Sequence, residues 1–474
     1  MVLVWGIEAG RVRRERPGGR LSFVYDESWR EGAGSVPLSL SLPLGARQHG
    51  HDAVDAFLWG LLPDNERVLD RWAQRFQVSA RDAFALLSEV GEDCPGAVQF
   101  AAPDRVDELR GEGELDVEWL DEEDVARRLR TLREDQAAWR LAEDQGQFSL
   151  AGSQPKTALV FLDGRWGVPA GRTPTTHILK PPLRGFDGYV ENEHLCLVLA
   201  REAGLAAATS QVQRFGDEAA IVVERYDRAR TASLAEAAAA EAGMRAASAA
   251  AGAAGTASDA RAAATAASAA AAREESLRAL ARTQPILRLH QEDLCQALGV
   301  RPTLKYQNQG GPGPSDVMGL IREHSSSPGE DAEAFVDALT FNWLIGGTDA
   351  HAKNYSLLHG AGRRVRLAPL YDLSSFLPYA PSDGRRVKLA MKIGSKYGLR
   401  DIRKRHWISL AEEAGLDPDG TVARMVRLAS AVGDTVPEVR RRATDDGLNH
   451  PIVGRLLKLI EDRVRASCTL LAGL

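Results

Sequence analysis

Gly346-Gly347-Thr348-Asp349-Ala350-His351-Ala352-Lys353-Asn354-Tyr355-Ser356 is the stretch on which the reading of this chain turns. An apolar helix-like segment, Phe341-Asn342-Trp343-Leu344-Ile345, runs into it, and the paired glycines must end that helix. Downstream, Ala368-Pro369-Leu370-Tyr371-Asp372-Leu373 places a second acid after a short strand. Either acid alone reads more readily as a cap, Asp349 of a turn and Asp372 of a helix. Acid, amide and second acid in this order suit a different task. They can hold a magnesium–nucleotide complex while an incoming hydroxyl is aligned on its last phosphate. Asp349 is then the group that accepts and orients the hydroxyl. Asn354 offers a neutral oxygen to the metal, and Asp372 bridges metal and phosphates. His351 and Lys353 either hold the loop or touch phosphate. The set predicts a phosphotransferase.

Composition agrees with an enzyme of two or three domains. The chain has 474 residues, 44% of them hydrophobic and 26% charged. Its four cysteines, Cys94, Cys196, Cys295 and Cys468, are too far apart in sequence to suggest a disulfide framework or a metal knuckle. No apolar run reaches the ~20 residues that cross a bilayer, and a strand-like start at Met1-Val2-Leu3-Val4-Trp5 leads to the expectation of a cytoplasmic protein without a membrane role. A net charge of -6 argues against extensive nucleic-acid binding by this chain alone.

Four segments are expected: 1–105, an amino-terminal subdomain; 106–228, a lobe with a phosphate-binding loop; 229–282, an alanine-rich insertion; and 283–474, a helical catalytic lobe. In the first, Val2–Ile7 and Leu21–Tyr25 read as two strands around Pro17-Gly18-Gly19. Asp55–Leu62 reads as a helix, Pro63-Asp64-Asn65-Glu66 restarts another, and Ser79 reads as the cap of a third. No catalytic set stands out there, so a regulatory or docking role is expected. Residues 115–145 read as helix, followed by strands at 159–162 and 176–180, a helix at 191–203 and a strand at 220–224. From there to the end the pattern is helical, apart from a hairpin near Asp372. The insertion has almost no large side chains and reads as a mobile extension without chemistry.

Three further places can meet a nucleotide. Lys180 ends a buried-looking strand, where its ammonium needs an anion: phosphate, or Glu193 on the next helix, with Glu191 an alternative. The stretch Ser149-Leu150-Ala151-Gly152-Ser153-Gln154-Pro155-Lys156 combines close backbone approach with amides, hydroxyls and a cation. It reads either as a phosphate cradle or as a plain surface turn. In Glu224-Arg225-Tyr226-Asp227-Arg228, the Glu224 carbonyl and Tyr226 amide form the natural pair for adenine, against the alternative of a salt-bridged strand end.

Taken in order, these pieces resemble the HipA family of serine/threonine kinases, the toxins of bacterial HipBA-type toxin–antitoxin modules. Further resemblance lies in Phe57-Leu58-Trp59-Gly60-Leu61-Leu62-Pro63-Asp64-Asn65, Leu86-Leu87-Ser88-Glu89-Val90-Gly91-Glu92-Asp93-Cys94-Pro95-Gly96-Ala97, Asn192-Glu193 and His290-Gln291-Glu292-Asp293. The resemblance implies an α+β, two-lobed protein-kinase-like fold with an added amino-terminal subdomain and a mostly helical carboxy-terminal lobe. It implies ATP and Mg²⁺, with Asp349 as catalytic base and Asn354 and Asp372 as metal ligands. Ala151, Gly152, Ser153, Gln154, Lys156, Lys180, Glu224, Tyr226, His351 and Lys353 fall around the nucleotide. Ser149 falls at the family's autophosphorylated serine. The implied partners are a small helix-turn-helix antitoxin of HipB type, operator DNA reached only through it, and a protein substrate such as an aminoacyl-tRNA synthetase. The chain departs from better-known members at Ser153 and Pro155, where they carry Ala and Glu, and in the alanine-rich insertion. A small-molecule kinase and a non-catalytic binding module are the competing classes. An open cleft beside Asp349 favours the protein kinase, and a closed polar pocket favours the small-molecule enzyme.

Overall fold

The computed structural model describes residues 1–472 except 17–18, 33, 111–114, 142–143, 145–147, 237–238, 240–274, 276–283, 361 and 382–386. The alanine-rich segment therefore lies almost wholly outside the described residues, as does the expectation of its mobility.

The amino-terminal unit is a five-stranded antiparallel sheet in the order Gln48–His49, Leu21–Tyr25, Ile7–Arg14, Val2–Val4, Val98–Phe100. The expected single strand over Val2–Ile7 is two strands. Trp5 and Gly6 both take positive φ, 55° and 74°, and make the tight turn between them. Helices His51–Gly60, Glu66–Phe76 and Ala83–Val90 cover the sheet, burying Phe57, Leu58, Trp72 and Leu86 against Phe23 and Tyr25. The helix expected to start at Ser79 starts later. Asp82 is its N-cap and accepts from the Ala85 amide, while Ser79 closes the turn before it by accepting from the Arg81 amide.

A six-stranded antiparallel sheet forms the middle of the chain, in the order Ser210–Phe215, Glu218–Glu224, His177–Lys180, Thr157–Leu162, Arg165–Pro169, Val117–Leu120. The last of these corrects the reading of 115–145 as helix. A capping box between Asp121 and Asp124 starts the helix at Glu122, Glu134 ends it, and the residues before the box pair as an edge strand with Arg165–Pro169. Val125 and Leu129 of that helix pack on Leu159, Trp166, Leu179 and Val222. Leu132, Trp139 and Leu150 turn the other way and join the core of the amino-terminal unit.

Helix Tyr189–Glu202 ties this sheet to the rest. It is buried along nearly its whole length and shares one core with helices Pro314–His324, Pro328–Ile345, Lys404–Ala414, Pro418–Asp445 and Ile452–Ala472. The carboxy-terminal part holds more strand than expected. His290–Asp293, Ser356–Gly360 and Arg364–Leu367 form a three-stranded antiparallel sheet, and Lys388–Ile393 pairs with Lys396–Gly398. Among the described residues no helix is long and apolar enough to cross a membrane.

Candidate active site

The helix Pro328–Ile345 ends where the glycines require it to end. Gly346 is left-handed, at φ 68°, and the Gly347 amide closes on the Asn342 carbonyl at 2.8 Å. A Cβ on Gly347 would collide with the Asn342 side chain, so the chain leaves the helix through a gap only glycine fits. Two residues on, Asp349 stands exposed at the mouth of a cavity of about 510 Å³ between the six-stranded sheet and the helical part.

Thirteen of the fourteen residues singled out in the sequence line this cavity: Asp349, all those placed around the nucleotide, and Asn354 and Asp372. Ser149 does not. It is fully buried beneath the loop, its hydroxyl donating to the Leu61 carbonyl at 2.7 Å and its amide to the Asp93 carbonyl at 2.9 Å.

The centre of the cavity is charged. Lys180 Nζ lies 2.6 Å from Glu193 Oε1 and 2.5 Å from Asp372 Oδ1. The open choice between Glu193 and Glu191 is thus resolved by contact with Glu193. Burial opposes the charge on Lys180, but Asp372 and Glu193 outweigh it and raise its pKa. Burial likewise works against Asp372, yet the neighbouring Lys180 brings its carboxyl down to about 2. Burial pushes Glu193 up, against the pull of the same lysine. Asp372 has a left-handed backbone, φ 56°, a conformation uncommon outside glycine and found at sites where geometry matters more than local energy. The Asn192 side chain holds the turn that follows by accepting from the Ser375 amide at 2.9 Å and donating to its carbonyl at 2.7 Å.

Around Asp349 the loop is closely braced. Asn354 Nδ2 donates to the Asp349 carbonyl at 2.9 Å, which commits the amide nitrogen to the loop and leaves Oδ1 as its other polar atom. Tyr371 donates to the Lys353 carbonyl at 2.7 Å. Tyr306 donates to Asp349 Oδ1 at 2.6 Å, and its ring meets His351 edge-on. The protein surrounding Asp349 raises its carboxyl, which the Tyr306 hydroxyl partly offsets. Burial brings His351 down to about 3, so it is neutral and carries no charge to a phosphate. Lys353 is drawn away from the cavity centre: its ammonium lies 2.8 Å from Asp64 Oδ1. Burial opposes that charge and Asp64 more than restores it.

The loop 151–156 folds over this centre. Lys156 Nζ donates to the Ala151 carbonyl at 2.7 Å and sits 4.8 Å from the Trp139 ring, so it braces the loop from behind. Burial, then Lys180, brings its pKa to about 8. Gly152 has φ 99°, and a Cβ there would meet Lys156 Nζ at 2.6 Å. Gln154 Nε2 is a buried donor with no acceptor among the described residues. At the cavity's other end, Glu224 is exposed, and the Tyr226 ring stacks on Tyr371 while its hydroxyl donates to Gln291 at 2.8 Å, fixing the link between the two lobes.

Sequence reasoning missed three groups at this site: Asp64, Lys305 and Tyr306. Asp64 reads in the sequence as part of a helix restart and of a family-like stretch, without a role at the site, and the other two lie in an irregular stretch without periodicity.

A nucleotide with Mg²⁺ fits these groups. Among the described residues no cluster of three or more His, Cys, Asp or Glu side chains is placed to hold a metal. Magnesium, however, is commonly held by one or two side-chain oxygens together with substrate phosphates and water, and Asp372 and Asn354 supply such oxygens. The unmatched Gln154 donor and the braced loop suit an anion.

Residues 1–101 match the HipA N-terminal domain family, and residues 148–286 and 278–440 match the HipA-like C-terminal domain family. The Sinorhizobium fredii protein Y4mE is 33% identical over 448 residues, covering 93% of this chain and 92% of that one. The serine/threonine-protein kinase toxin HipA of Shewanella oneidensis is 25% identical over 429 residues, 88% of this chain and 83% of that one. The fold matches the solved complex of Shewanella oneidensis HipA with HipB and operator DNA, with a TM-score of 0.75 and 22% identity over 100% of this chain and 98% of that one. The architecture is therefore the two-lobed, kinase-like one with a helical carboxy-terminal lobe, and the chain belongs to the HipA family of toxin kinases.

Proposed function

We propose that this chain transfers the terminal phosphate of ATP to serine or threonine hydroxyls of a protein. The observation that carries the reading is the convergence of Lys180, Glu193 and Asp372 on the floor of one cavity with Asp349 exposed at its mouth. Asp349 accepts the hydrogen bond of the acceptor hydroxyl and takes its proton as transfer proceeds. Lys180 neutralises phosphate charge, and the amides of 151–154 surround the phosphates. The Glu224 carbonyl and Tyr226 amide receive adenine. Asp372 and Asn354 would hold Mg²⁺, which supplies charge neutralisation between the phosphates. An exposed Asp349 suits a hydroxyl presented on a protein surface better than one enclosed with a small molecule.

The biological reading follows the family. The chain acts as a growth-arresting toxin whose substrate is a translation-related protein such as an aminoacyl-tRNA synthetase. A small helix-turn-helix antitoxin of HipB type is its partner, and operator DNA is reached only through that partner. The solved Shewanella complex supports this pairing by likeness of fold. Ser149 is the site of self-modification. Because its hydroxyl is turned inward onto Leu61, the segment must leave its seat before a kinase can reach it, and a dianion there would not fit back between Phe148 and Leu150.

The test is incubation of the full chain with Mg²⁺-ATP beside Asp349→Ala, followed by intact mass and phosphosite mapping. One phosphate on Ser149 of the wild type and none on the variant is expected. A folded wild type that begins unphosphorylated and gains nothing overturns the proposal.

A further inference from the structure

Three residues of the amino-terminal unit, Gly60, Asp64 and Pro95, line the cavity, and Asp64 brings a charge to it. Asp64 lies between helices His51–Gly60 and Glu66–Phe76, in a short strap. Its carboxylate is shared between two ammonium groups from the other end of the chain. Oδ1 lies 2.8 Å from Lys353 Nζ, in the loop that carries Asp349, and Oδ2 lies 2.8 Å from Lys305 Nζ. The backbone of the strap makes a separate set of contacts. The Asp64 amide donates to the Gly152 carbonyl at 3.0 Å, Pro63 forms a parallel bridge with Gly152, and Asn65 Nδ2 donates to the Ser153 carbonyl at 3.3 Å.

One residue therefore holds the phosphate loop with its backbone and the Asp349 loop with its side chain. The two loops must keep a fixed separation for transfer to occur, because the acceptor oxygen and the phosphorus must meet in line. The remaining contacts set the direction of the effect. Lys353 is nearly inaccessible and its ammonium has no room to seek water, so its anion decides where the loop sits. Lys305 lies next to Tyr306, whose hydroxyl rests on Asp349, and its carbonyl accepts from the Ala352 amide at 3.4 Å. Moving Asp64 would thus shift the Asp349 loop from two sides. A mere surface brace would be exposed and bind one element. The Asp64 side chain is only 11% exposed, and the residue binds three.

We propose that Asp64 is a positioning residue for phosphoryl transfer, and that the amino-terminal unit is a working part of the catalytic site through it. The inference rests on the kinase reading above and adds a residue, and a subdomain, to it.

The test compares wild type, Asp64→Asn, Asp64→Glu and Lys305→Gln in the full chain. Phosphate transfer from Mg²⁺-ATP gives kcat and the KM for ATP, and hydrogen exchange of the nucleotide-free proteins reports on residues 151–157 and 349–354. Asp64→Asn is expected to lower kcat about 100-fold while the KM for ATP changes less than about threefold, as misplacement of reacting groups does. Exchange at both loops should speed up together, with the helix Ala83–Val90 unchanged. Asp64→Glu keeps the charge and should recover most of the rate, which a loss of general packing would not allow. Lys305→Gln leaves the Lys353 pair intact and preserves the fold if Asp64→Asn does not. It should slow transfer about tenfold. Transfer by Asp64→Asn within threefold of wild type, or, where that variant does not fold, by Lys305→Gln, overturns the proposal. A wild type that transfers no phosphate overturns the kinase reading instead. The exchange data then decide the strap by themselves: unchanged exchange at either loop in Asp64→Asn, or in Lys305→Gln should Asp64→Asn not fold, removes it.

Discussion

Two buried ion clusters in this molecule look alike and do different things. One centres on Asp93 of the amino-terminal unit. Its oxygens accept from Arg228 at 2.9 Å, Arg288 at 3.1 Å, Arg225 at 3.4 Å and the Thr175 hydroxyl at 2.6 Å. The other is Lys180 with Glu193 and Asp372. The Asp93 carboxylate is buried and both its oxygens are engaged. Its burial is outweighed by the guanidinium groups, Arg228 first, which hold its carboxyl far below the ordinary range. The second cluster lines a cavity, leaves Glu193 Oε2 without a partner among the described residues, and keeps Asp372 about one-third exposed on a left-handed backbone. A buried carboxylate whose two oxygens are both engaged locks elements together. One that is left short at the edge of a space is prepared for something to enter.

The sharpest way to break that contrast is to remove one carboxylate from the cavity that the second cluster lines, Asp349, and one from the enclosed cluster, Asp93. Asp349→Ala should cost about 10²–10⁴-fold in phosphate transfer and leave the melting temperature near wild type, since the residue is exposed. A large loss of stability instead would make the cleft a structural cluster too. Asp93→Asn should do the reverse, destabilising the chain by about 3–5 kcal/mol through uncompensated buried guanidinium groups, read from the denaturant midpoint. An unchanged midpoint would mean that saturation does not distinguish the two.

Asp64 belongs to both kinds, and pH separates its share. Burial raises its carboxyl, but Lys353 and Lys305 outweigh this and bring it to about 2, below its unfolded value. The folded state thus holds fewer protons than the unfolded state in between. The stabilisation is fully present above about pH 4 and lost as pH falls through about 2, at roughly 2 kcal/mol. Acid unfolding curves of wild type and Asp64→Asn should therefore converge towards pH 2, and parallel curves would contradict the assignment. The smallest effect is expected at Tyr306. Its hydrogen bond favours the Asp349 carboxylate, so Tyr306→Phe should move the acid limb of the rate–pH profile upward by less than about one unit. A downward shift would show that the hydroxyl does not act on that carboxylate.

Much of this site was legible in the sequence because it is built from short runs in which spacing carries the chemistry. The paired glycines at 346–347 dictate a helix end, and the residues after them fall into a loop whatever the rest of the chain does. Lys180 at a strand end demanded an anion, and the sequence left phosphate, Glu193 and Glu191 open until the contact with Glu193 chose between the two acids. The parts that were illegible depend on distance. Asp64 meets Lys353 across 289 positions, and nothing local marks either as the other's partner. Val117–Leu120 is an edge strand whose burial does not alternate, so its Trp and Leu could be counted just as well onto a helix stripe. His351 and Lys353 were left between bracing and phosphate contact. The ammonium of Lys353 is tied to Asp64, whereas His351 keeps a buried Nδ1 without a partner among the described residues. Ser149 was legible as a position but not as a buried one.

The strap also has a consequence for the order in which the molecule is made. Synthesis runs from the amino terminus, so Asp64 is polymerised 241 residues before Lys305 and 289 before Lys353. A ribosome-bound chain can fold the first sheet and close 151–156 over Pro63-Asp64-Asn65 while the two lysines do not yet exist. Until they arrive, the carboxylate waits in water. The cleft is completed only when the last third of the chain is translated, so a prematurely terminated product that ends before residue 353 has the phosphate loop but neither Asp372 nor the tie to a finished Asp349 loop. On the toxin function proposed above, the harmful arrangement is thereby the last to be assembled.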